Sequence, residues 1–155
     1  MGAAYFYHLT QKPLEQALPV LLEKALQAGW NIELRANDEQ RLDWLDQKLW
    51  LWSEDSFLPH GRVGGCHDSR QPVLLSLKST GRTDCIMSVD GALIINDEVN
   101  ASHRTCVIFN GLDGKELNVA RQQWKSLTDA GCHAIYWSEV SGRWQKKAER
   151  NVPLV

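Results

Sequence analysis

A chain of 155 residues, 43% hydrophobic and 23% charged, has the length and composition of one globular domain able to bury a core without disulfides or metals. No stretch approaches the roughly 18 consecutive apolar residues of a membrane span, and the start Met1–His8 has neither the basic stretch nor the apolar run of a secretory leader. The chain is therefore expected to stay in the cytoplasm. The net charge of −2 hides two unlike parts: residues 1–113 carry 10 Lys and Arg against 15 Asp and Glu, residues 114–155 carry 7 against 4. A general DNA binder is strongly basic overall, which this is not; a weakly acidic body with a basic final third suits a local acidic partner such as a peptide tail. Ordinary surface variation would give the same asymmetry.

In chain order, the aromatic-rich run Tyr5–Leu9 reads as a first strand. Pro13 to Ala28 carries Leu14, Ala17, Leu18, Leu21, Ala25 and Ala28 on one helical stripe, and Gly29 stands where a left-handed residue would end it. Pro19 removes a backbone donor inside that stripe and predicts a kink or a later start. Asn31–Arg35 alternates as a second strand with Ile32 and Leu34 on one face. Asn37-Asp38 offers an N-cap to a helix whose apolar face is Leu42, Leu45 and Leu49. Ser56–Gly61 reads as a turn, and the polar, glycine-bearing stretch of about 61–71 as a loop.

Pro72–Leu77, Cys85–Val89 and Thr105–Phe109 are short apolar runs of the kind buried strands show, while Asp90–Ser102 gives no clear pattern. Gly114–Ala130 reads as a helix stopped by Gly131, Cys132–Ser138 as a last strand, and Trp144–Ala148 as a further turn of helix. Strands and helices in alternation predict an α/β fold, a single three-layer α/β/α domain over 1–155 around a largely parallel sheet.

Catalytic signatures are lacking. No GxxxxGK[ST] or GxGxxG follows an expected strand and there is no GxSxG elbow. The four cysteines contain no CxxC, and the adjacent pairs Cys66-His67 and Cys132-His133 lack the spacing that turns two side chains onto one ion, so no metal is expected. The alternative to a binding protein is a small cytosolic enzyme using Cys106 or Cys132 with His133, but apolar neighbours such as Val107, Ile108, Ala134 and Ile135 suggest inert thiols. His8 and His60 read as packing residues. Direct binding of single-stranded DNA through Trp and Lys is disfavoured by the overall acidity.

Two features stand out. Trp44, Trp50 and Trp52, followed by Phe57 in a Pro-terminated turn, concentrate apolar area of the kind that anchors protein partners; packing of the helix onto the sheet explains them as well. In Ala120-Arg121-Gln-Gln-Trp124-Lys125, helical spacing puts Arg121, Trp124 and Lys125 in one triangle. A guanidinium fork, an indole wall and an added ammonium make a socket for an acidic peptide ending in an apolar residue with a free carboxylate. Leu117, Ala120, Trp124 and Leu127 equally make a core stripe that would turn Trp124 inward.

Taken in order, Phe6-Tyr7, Lys24-Ala25 to Gly29, Leu45-Asp-x-x-Leu49-Trp50, Ser56-Phe-Leu-Pro-His-Gly61, Pro72-Val-Leu-Leu75, Val89-Asp90-Gly91, Phe109-Asn-Gly111, Ala120-Arg121-x-x-Trp124, Tyr136-Trp137 and Gly142-Arg-Trp-x-Lys-Lys-Ala148 resemble the chi subunits of bacterial DNA polymerase III. The resemblance spans about positions 5 to 148. It implies a non-catalytic accessory subunit of the replicative holoenzyme, with no cofactor, that couples the clamp-loader complex to single-stranded DNA-binding protein and meets DNA only indirectly. By matching position, Arg121 would take the terminal carboxylate of that protein's acidic tail, with Trp124 and Lys125 lining the socket. Trp50 and Phe57 would face the psi subunit, or a helicase-like protein where psi is lacking. Asn110 departs from the family, many of whose members carry an acidic residue there.

Overall fold

The computed structural model describes residues 2–51, 60–63, 72–82, 84–140 and 143–152. Among the described residues twelve elements follow one another: β1 (Ala3–Leu9), α1 (Leu14–Gln27), β2 (Ile32–Arg35), α2 (Glu39–Leu51), β3 (His60–Arg62), β4 (Val73–Ser76), β5 (Cys85–Ser88), α3 (Asn96–Ala101), β6 (Arg104–Asn110), α4 (Gly114–Asp129), β7 (His133–Val140) and β8 (Arg143–Arg150). The strands make one eight-stranded sheet in the order β3-β4-β2-β5-β6-β1-β7-β8. Every pairing is parallel except β7 with β8. Parallel neighbours need crossovers, which lay helices on both faces and explain strands apolar on both sides.

The two faces bury separate cores. Leu18 and Leu22 of α1 and Leu42, Leu45 and Leu49 of α2 pack on Leu9, Ile32, Leu34, Leu75 and Ile108. On the opposite face Val99 of α3 and Ala120 and Leu127 of α4 pack on Ala4, Phe6, Val107, Phe109 and Ala134. This is the α/β architecture the alternation predicts. Helix α1 runs unbroken from Leu14 with Pro19 buried inside it, so the later start does not occur. Gly29 follows it at φ 84°, the left-handed stop anticipated from sequence. Asp38 receives the Arg41 N–H at 2.8 Å, and Asp113 receives those of Lys115 and Glu116, so both long helices after α1 begin at a carboxylate cap.

On the α3 side of β2 a polar cluster is buried. Arg35 Nε donates to Glu33 at 2.8 Å, and its terminal nitrogens reach both oxygens of Glu98 at 2.9 and 2.5 Å and the Leu93 carbonyl at 3.0 Å. Glu33, with no exposed area, also accepts from the Thr80 amide and hydroxyl. Each side-chain nitrogen of Arg35 and each carboxylate oxygen of Glu33 and Glu98 thus has a partner, the condition under which buried charges persist.

Two expectations are corrected, and a stretch without a clear pattern gains an element. Trp144–Ala148 is part of strand β8, not a turn of helix: residues with fair helix propensity are held extended by pairing along β7, from Ala134–Arg150 to Val140–Arg143. His60–Arg62 forms a short strand beside β4 in place of the end of the expected turn and the start of the expected loop, whose other residues, 56–59 and 64–71, lie outside the described residues; three residues around a glycine give no alternation to see. Asn96–Ala101, in the stretch without pattern, is a six-residue helix, its start stabilised by the Glu98 side chain accepting the Ile95 amide at 3.2 Å.

Candidate functional site

The site begins with alternation in β1. Phe6 and His8 point to the α4 face, and parallel register sets His8 beside Phe109 and Ser138, and Phe6 beside Tyr136. The His8 ring lies nearly flat on Phe109, centroids 5.0 Å apart at 26°, and its Nδ1 is 2.7 Å from the Tyr136 hydroxyl. Gly111, just past β6, permits this: a Cβ there would overlap the His8 ring.

Helix α4 lies over this floor. Trp124 stands edge-on to Phe6 at 5.2 Å and to Tyr136 at 5.8 Å. It is half-buried against the second core, so the indole belongs to the core stripe and leaves only part of itself to the surface. Arg121 and Lys125 are exposed, and neither forms an ion pair among the described residues. Arg121 is felt below: burial first, and then its positive charge, hold the His8 imidazole below its ordinary pKa. Burial pushes the Tyr136 phenol up, and the same guanidinium opposes that shift. The structure therefore brings Arg121, Trp124 and Lys125 together on one surface of α4, above an aromatic and imidazole floor. Such an arrangement can hold an anion at the fork while an apolar group rests against ring edges.

Of the second set, Trp50 lies in the last turn of α2, its side chain outside the described residues, as are Phe57 and Trp52. Trp44 packs on the first core, with the Arg41 guanidinium 4.1 Å above its ring. Arg41 is in turn paired with Asp90 at 2.7 and 3.0 Å. These residues line a crevice of about 360 Å³ at the carboxyl ends of β1 and β6, where the connections leave toward opposite faces. Open α/β sheets often hold ligands at such a point, but here its arginine is already occupied.

The thiols are not brought to a base. Cys132 is buried and donates to Asn96 Oδ1 at 2.5 Å, while its neighbour His133 points to the other face and meets Glu149 at 2.6 Å. A hydrogen bond with Cys85 and complete burial push the Cys106 thiol well up, and burial does the same to Cys132. Among the described residues no three His, Cys, Asp or Glu side chains cluster as metal ligands would. Cys66 and His67 lie outside the described residues.

Sequence reasoning missed His8 and Tyr136 as members of the site. The available signal was the shared parity of Phe6 and His8 in an alternating strand. A family model described as DNA polymerase III chi subunit, HolC, matches residues 1–134. No curated protein matches the chain.

Proposed function

The chain belongs to the DNA polymerase III chi subunit family, and on that premise we propose that it is a non-catalytic accessory subunit linking the clamp loader to single-stranded DNA-binding protein. Arg121 takes the terminal carboxylate of that protein's acidic tail, Trp124 gives an apolar edge to the last side chain, and Lys125 attracts the acidic residues before it. The observation that carries this reading is an exposed guanidinium, without an ion pair among the described residues, one helical turn from a half-buried indole. A paired arginine would have no capacity left for a ligand.

The whole chain, 1–155, acts as one chi-like domain in the cytoplasm and meets DNA only through its protein partner. Trp50 and Phe57 serve the other attachment, to a psi subunit or a helicase-like protein. The Cys and His alternative loses support, since Cys132 and His133 face opposite sides of β7 and the buried thiols are disfavoured as thiolates.

A pull-down tests the proposal: immobilised chain should retain intact single-stranded DNA-binding protein and lose it when the last few tail residues are removed. Equal retention of both forms would overturn the tail assignment.

A further inference from the structure

The hairpin that closes the sheet begins at the limit of the family match: β7 starts at His133, the match ends at 134, and β8 follows. Strand β8 is terminal in the sheet order, and six of its eight residues are exposed. Among the described residues its only backbone pairing is to β7, and none of them pairs with its outer N–H and C=O groups. The register shifts once, where Tyr136 pairs with Ala148 and Trp137 with Lys146 so that Lys147 bulges, and the edge on either side of that residue is a template for another strand.

Its side chains decide which strand. Arg143, Lys146, Lys147 and Arg150 stand against Glu149 alone, and Glu149 is already engaged by His133 and Lys146. Like charge repels a second copy of this edge, whereas an extended acidic segment gains both backbone hydrogen bonds and charge complementarity. The far end of the edge is fixed, because the Asn151 amide donates to the carbonyls of Thr128 and Cys132 at 2.9 and 2.8 Å, tying β8 to the end of α4.

We propose that an acidic polypeptide segment adds to the free edge of β8 as a ninth strand, and that this segment is the part of the captured tail preceding its terminal carboxylate. The proposal rests on the Arg121 reading. The geometry permits both contacts at once: Trp124, one turn from Arg121 on α4, stands edge-on to Tyr136 at 5.8 Å, and Tyr136 pairs with Ala148 of β8. A ninth strand lies two interstrand spacings, about 10 Å, beyond β7, and the helix carrying Arg121 packs a layer spacing of about 10 Å above the sheet, so the path of about 14 Å takes roughly four to five extended residues. The last four or five residues thus reach from the fork to the edge, and the acidic residues before them run along it.

Two synthetic peptides test this: an acidic decapeptide ending in phenylalanine with a free carboxylate, and its last three residues alone. Full-length chain is titrated with each, as parent, as Arg121→Ala and as Lys147→Glu/Arg150→Glu. Amide exchange is followed residue by residue. The double variant should weaken the decapeptide about threefold or more and leave the tripeptide unchanged, while alternate amides of β8 slow on binding. If Arg121→Ala weakens both peptides, yet the double variant is silent and β8 amides exchange as before, the ninth strand is refuted and the fork stands. If Arg121→Ala changes neither peptide, the reading beneath it fails. Protection of β8 by a single-stranded oligonucleotide but not by the decapeptide would overturn the proposal in favour of a nucleic-acid edge.

Discussion

The hydroxyl of Tyr136 lies 2.7 Å from Nδ1 of His8, joining the first strand to the seventh directly beneath the Arg121 surface of α4. The pair works as a reporter of that guanidinium, because His8 is held below its ordinary value of 6.5 by burial first and by Arg121 second. In the folded protein His8 is thus neutral at a pH where the unfolded chain is protonated. Its contribution to stability is complete above about 6.5 and is lost as pH falls toward the lowered value. Arg121→Ala should raise the His8 pKa while leaving it below 6.5, since the larger cause remains. An NMR titration of the imidazole in parent and variant checks this; an unchanged value would separate Arg121 from the floor.

The buried polar cluster on β2 should be costly to break. Arg35→Ala strands the fully buried Glu33 and removes the partner of Glu98, and loss of one partner from a buried pair costs about 3–5 kcal/mol. Glu98 is held below the usual carboxylate range chiefly by its hydrogen bond to Arg35, so this contribution is present above the ordinary carboxylate pKa and disappears as pH falls through the depressed one. Urea denaturation of parent and variant at neutral and acid pH measures both, and the difference between them should shrink in acid.

Helix α4 carries the fork and depends on its cap. Asp113→Ala leaves the Lys115 and Glu116 amides without their acceptor and should cost about 1 kcal/mol, a fall in Tm of roughly 2–4 °C for a chain of this size. Thermal unfolding followed by circular dichroism reads it. Asp113→Asn, which keeps a capping oxygen, should recover most of the loss.

The thiols should be slow. Cys106 is entirely buried and its thiol is pushed well up, and Cys132 is buried against Asn96. Alkylation with iodoacetamide at neutral pH should label these two far more slowly in the native protein than in urea. Rapid native labelling of Cys132 would restore the enzyme reading.

Much of the frame is written in local pattern, and the parts that are not share a cause. The stripe from Leu14 to Ala28 with Gly29 behind it, the alternation of Ile32 and Leu34, and the carboxylates before α2 and α4 each act within a few residues. Strand β8 was misread because Trp144–Ala148 is extended only through its pairing with β7. The triangle of Arg121, Trp124 and Lys125 is visible because helical spacing is local, whereas His8 and Tyr136 meet across 128 positions through parallel register that periodicity does not encode. The direction of Trp124 was undecidable from spacing, and the fold divides it: one part of the ring serves the core against Phe6, the rest remains at the surface.

The most direct test is calorimetric titration of the chain with the acidic tail peptide of single-stranded DNA-binding protein, comparing parent with Arg121→Ala and free-acid peptide with its C-terminal amide. A charge-assisted contact to a terminal carboxylate contributes about 1.5–3 kcal/mol, so either change should weaken binding roughly ten- to a hundredfold, and the two together little more than one alone. Equal affinity of parent and variant for the free-acid peptide would contradict the account.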